Sequence, residues 1–147
     1  MPQHDIEPLE PAMWFEQIER LYVRRNAETE CGSCAPFRTA FHLLQLAPRP
    51  LRCVLPAEHD ERAIESLLER GALLEAAIAL FGAPLGVSLA RDAETEHFEA
   101  TVVIPGARAS GSDAGAHPAS ALLGAWCQAS IALKKPADGP RTRASLH

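Results

Sequence analysis

This sequence has few aromatic residues and no long apolar run. Phe, Trp and Tyr make up only 5% of its 147 residues, so a core must be built mainly from Ala, Leu and Ile. No apolar stretch approaches the ~20 residues that span a bilayer as a helix, which excludes the usual transmembrane reading. The start, Met1-Pro2-Gln3-His4-Asp5-Ile6-Glu7, has neither the basic nor the apolar segment of a secretory signal, and a cytoplasmic protein is expected. Cations are also scarce: 14 Lys and Arg face 19 Asp and Glu, for a net charge of −5. Neutralising phosphates takes clustered Lys and Arg, so no nucleic acid is expected as a partner. The nucleophile-elbow pattern G-x-S-x-G and the phosphate loop G-x-x-x-x-G-K are both missing. His42, His59, His97 and His117 fall at separate helix, cap and hairpin positions and suggest no triad. A catalytic function is therefore not expected, with thiol chemistry the main exception.

The charge that is present is unevenly placed. Between Leu55 and Ala100 stand Glu58, Asp60, Glu61, Glu65, Glu69, Glu75, Asp92, Glu94, Glu96 and Glu99, against Arg62, Arg70 and Arg91. From Lys134 onward the balance is basic, with Lys134, Lys135, Arg141 and Arg143 against Asp138. Helical spacing puts Glu58, Glu61, Glu65 and Glu69 along one side of a helix. Such a side often does no more than solvate its helix. It also suits docking on the basic surface of another protein.

The most chemically pointed motif is Cys31-Gly32-Ser33-Cys34. Two cysteines at this spacing make a disulfide, a redox couple or half of a zinc site. Cys53 and His59 extend it to C-x2-C-x18-C-x5-H, a possible zinc set with His42 as an alternative fourth ligand. For redox work Cys34 lies beside a helix start, where the dipole favours a thiolate. Against that, Glu28 and Glu30 oppose a thiolate at Cys31, and no strand precedes the motif as in thioredoxin-like proteins. Cys127, in an apolar helix, reads as core filling.

Periodicity lays out the elements. Trp14, Phe15, Ile18, Leu21 and Tyr22 recur at helical spacing, giving a helix from Pro11 to Arg24 and a loop over Asn26–Glu30. Ser33 is the expected cap of a second helix, with Pro36 in its first turn and Phe37, Ala40, Phe41 and Leu44 on its apolar face. Leu51–Leu55, bounded by prolines, suggests a short strand. Asp60 caps a third helix, with Ala63, Ile64, Leu67, Leu68, Leu74, Ile78 and Phe81 as candidates for burial, which Gly71 bends or splits. Leu85, Val87 and Leu89, then Phe98, Ala100, Val102 and Ile104, alternate as a hairpin with one buried face. Residues 105–115, rich in Gly, Ala and Ser, read as a flexible connection, and Pro118 opens the last helix. Arg25–Glu30 is echoed by Arg91–Glu96, but the flanks differ, and coincidence is the simpler explanation.

From Asp60 to Lys135 the order helix, strand, strand, helix ends in His117-Pro118-Ala119-Ser120-Ala121-Leu122-Leu123. This segment resembles the small α-β-β-α sandwich proteins of bacteriophages and prophages, which end in a similar helix. The resemblance implies an accessory role and transfers no catalytic residue.

These readings converge on an α+β protein: a lead-in over 1–11, one domain over 12–135 and a disordered basic tail over 136–147. A two- or three-stranded antiparallel sheet is packed by three or four helices. The expected function is a non-enzymatic interaction module binding or inhibiting a host or viral protein through Glu58, Glu61, Glu65 and Glu69, without a cofactor. A homo-oligomer is compatible with it. The alternatives are a small zinc-stabilised binding protein, using Cys31, Cys34, Cys53 and His59, and a thiol–disulfide protein.

Overall fold

The first helix, α1, spans Pro11–Glu30 in a computed structural model that describes residues 7–30, 34–55, 59–82 and 85–134, with backbone alone for 26–30. It therefore runs past the expected end at Arg24. Ala27, Glu28 and Glu30 are good helix formers and no Gly or Pro intervenes, so nothing local stops the hydrogen-bond ladder. Trp14, Ile18 and Leu21 are fully buried on its inner side, and the Trp14 indole N–H donates to the Leu43 carbonyl at 2.7 Å. Ahead of it, the Leu9 amide donates to the Leu46 carbonyl.

Helix α2, Ala35–Gln45, has Pro36 in its first turn and buries Phe37, Ala40, Phe41, Leu43 and Leu44. Cys34 stands at its N-cap position without a side-chain cap bond; Ser33, the expected cap, lies outside the described residues. The strand expected over Leu51–Leu55 is not there. Arg49–Leu51 form a 3₁₀ turn instead, and the Val54 and Leu55 amides both donate to the Leu51 carbonyl. Pro48 and Pro50 hold φ near the helical value, and Arg52 fastens the turn by donating to the Ala47 and Gln45 carbonyls.

The third expected helix is split in two, α3 at Glu61–Glu69 and α4 at Leu73–Phe81. Asp60 caps α3 by accepting from the Arg62 and Ala63 amides. Gly71, at φ +77°, ends it: the Gly71 amide donates to the Leu68 carbonyl and the Ala72 amide to the Leu67 carbonyl, the paired bonds of a Schellman motif.

The hairpin is confirmed as β1, Gly86–Arg91, and β2, Phe98–Ile104, antiparallel with Val87 opposite Val102 and Leu89 opposite Ala100. The stretch 105–115 is not a loose connection. After a 3₁₀ turn at Pro105–Ala107, Ala109–Gly115 form a third strand, β3, antiparallel to β2. The sheet order is β1-β2-β3. Ala100, Val102 and Ile104 are buried on its inner face. On the outer face Gly86, Ser88, Ala90, Glu99, Val103, Ser110, Ser112 and Ala114 are exposed.

Helix α5, Pro118–Ala132, is apolar all round, which suits a helix packed on every side. It touches β2 and β3 on one side and α1 and α4 on others, so it lies between the sheet and the helical half. Trp126 stacks on Phe81 with ring centroids 4.8 Å apart, joining it to α4. The result is a small α+β fold of five α-helices and a three-stranded antiparallel sheet among the described residues.

Candidate functional site

The acidic side of α3 is built by its helical spacing. Glu61 and Glu69 are exposed, while Glu65 between them is half-buried. Arg38 of α2 reaches across and donates to Glu65 twice, Nε to Oε2 and Nη2 to Oε1, each at 2.8 Å. This bidentate fork holds the Glu65 carboxyl below the usual glutamate range and raises the Arg38 guanidinium, the hydrogen bond being the larger cause in both. The expected row of free carboxylates is therefore modified: Glu65 is matched within the chain, and Glu61 and Glu69 carry the surface charge of α3 beside exposed Arg62 and Arg70. Glu58 lies outside the described residues.

The thiol and imidazole groups are spread over several elements. Cys34 is half-buried, and its Sγ lies 3.3 Å from the Leu68 carbonyl, in the last turn of α3. Cys53 is exposed after the 3₁₀ turn, 3.5 Å from the Pro50 carbonyl. The His59 Nε2 lies 2.9 Å from the Leu80 carbonyl, with the imidazole ring edge-on to Phe41. Among the described residues no three His, Cys, Asp or Glu side chains are grouped to hold a metal ion, so Cys34, Cys53 and His59 are not brought together as ligands. Cys31, the fourth member of that set, lies outside the described residues. Cys127 is fully buried, and burial pushes its thiol far above the ordinary range; core filling is its place in the fold.

Arg25 and Asp113 form an arrangement that the sequence reading missed. Arg25 Nε and Nη2 lie 2.8 and 2.7 Å from Asp113 Oδ2. The guanidinium also donates to the Tyr22 carbonyl through Nη1 and lies 3.8 Å from the centre of the Tyr22 ring. A Cβ on Gly124 of α5 would overlap both Asp113 Oδ2 and Arg25 Nε, and one on Gly111 would overlap the α5 backbone at Ala125–Ala129. Glycine at these two positions lets β3 lie close under α5 and leaves the ion pair its place. The available signal was Asp113 itself, a lone charge in the inward phase of a strand composed otherwise of Ala, Gly and Ser.

No family model, curated protein or solved structure matches the chain. No helix among the described residues is long and apolar enough to cross a membrane.

Proposed function

We propose that this chain is a non-enzymatic interaction domain, a cytoplasmic accessory protein of phage or prophage type that binds or inhibits a host or viral protein. Its contact surface is the acidic side of α3 and its partner presents a basic surface. The observation that carries this reading is the placement of Glu61 and Glu69. Both are exposed on a capped helix, and Arg38 ties the middle of that helix to α2 through Glu65. Carboxylates fixed on a rigid element steer a basic partner toward one orientation and raise its rate of association. The test is capture of the partner from host extract by wild type and by Glu61→Lys/Glu69→Lys, which leaves the Arg38–Glu65 pair intact. Loss of the partner from a variant that melts like wild type supports the reading. Equal recovery on both removes α3 as the surface.

A second reading has one observation in its favour: half-buried Cys34 stands at the start of α2, where a thiol–disulfide or zinc role with Cys31 would need it. About one zinc per freshly purified, reduced chain, with loss of stability on chelation, would establish the metal form. A disulfide that reforms between Cys31 and Cys34 after reduction would establish the redox form.

A further inference from the structure

We draw no further inference here: the strongest candidate, the open groove between the outer edge of β3 and the last turns of α5, lined by Ser110, Gly111, Ser112, Gln128, Ile131 and Ala132, carries nothing because nothing in the structure shows what covers it.

Discussion

Arg25 and Asp113 stand 88 positions apart in the chain and meet at 2.7–2.8 Å, tying α1 to β3 at Gly124 of α5. Their side chains are only 9% and 11% exposed, so each charge depends on the other for solvation it has lost. Removing one partner strands the other, and Asp113→Ala should destabilise the domain by about 3–5 kcal/mol. Arg25→Met/Asp113→Leu leaves no buried charge and should cost less than Asp113→Ala alone. Urea unfolding of the two variants measures both. Equal stability of Asp113→Ala and wild type would show that the pair is solvated.

Gly124 gives an independent check on the same junction. In an unconstrained helix Gly→Ala stabilises by about 1 kcal/mol. Here the added methyl meets Asp113 and Arg25, and Gly124→Ala should instead destabilise by about 1–3 kcal/mol, the usual range for overpacking. Gly115, whose Cβ would meet nothing within 4 Å, is the control. Thermal melts of Gly124→Ala and Gly115→Ala should move apart, with only the first falling well below wild type.

The thiols should differ in reactivity according to where they sit. Cys53 is exposed, Cys34 is half-buried and Cys127 is fully buried. Of these three, a thiol reagent at neutral pH should label Cys53 before Cys34. Cys127, whose ionisation burial opposes, should react only when the protein unfolds. Mass spectrometry of peptides from partly labelled protein reads the order, and rapid native labelling of Cys127 would contradict the position of α5.

The Arg38–Glu65 pair predicts a pH dependence of definite sign. The folded carboxyl titrates below its unfolded value, so the pair's contribution is fully present above the unfolded glutamate range. It is lost as pH falls through the folded value. Arg38 is exposed and Glu65 only half-buried, so solvent screens the pair and its share of stability is small. Carboxyl NMR titration is therefore the suitable probe. Glu65 should titrate at lower pH in wild type than in Arg38→Ala, and identical curves would show that the fork does not form in solution.

The apolar periodicities of the sequence located α1, α2, the hairpin and α5, because each buries large side chains at a regular spacing. Gly71 and Asp60 marked helix ends through backbone chemistry that one residue can dictate. Strand β3 left no such trace. Its inward positions are Ala109, Gly111, Asp113 and Gly115, of which Gly111 and Asp113 lie close against α5, and small residues of low strand propensity read as a loop. The segment Leu51–Leu55 misled in the opposite way. Its apolar residues Leu51, Val54 and Leu55 fit one turn of helix as well as a strand, and Pro48 and Pro50 ahead of them hold φ at values that suit the turn. On α3 the spacing of Glu61, Glu65 and Glu69 was legible. The capture of Glu65 by Arg38, 27 residues earlier, was a tertiary contact that no local pattern encodes, as was the Arg25–Asp113 pair.

The claim that the acidic side of α3 receives a basic partner is tested most directly by association kinetics with the captured partner. The rate constant should be measured against ionic strength for wild type and for Glu61→Lys/Glu69→Lys. Steering by exposed carboxylates predicts that the variant associates at least several-fold more slowly in low salt and loses much of the salt dependence. A variant that folds like wild type and associates as fast, with the same salt dependence, would contradict the claim and leave Glu61 and Glu69 as solvating charges only.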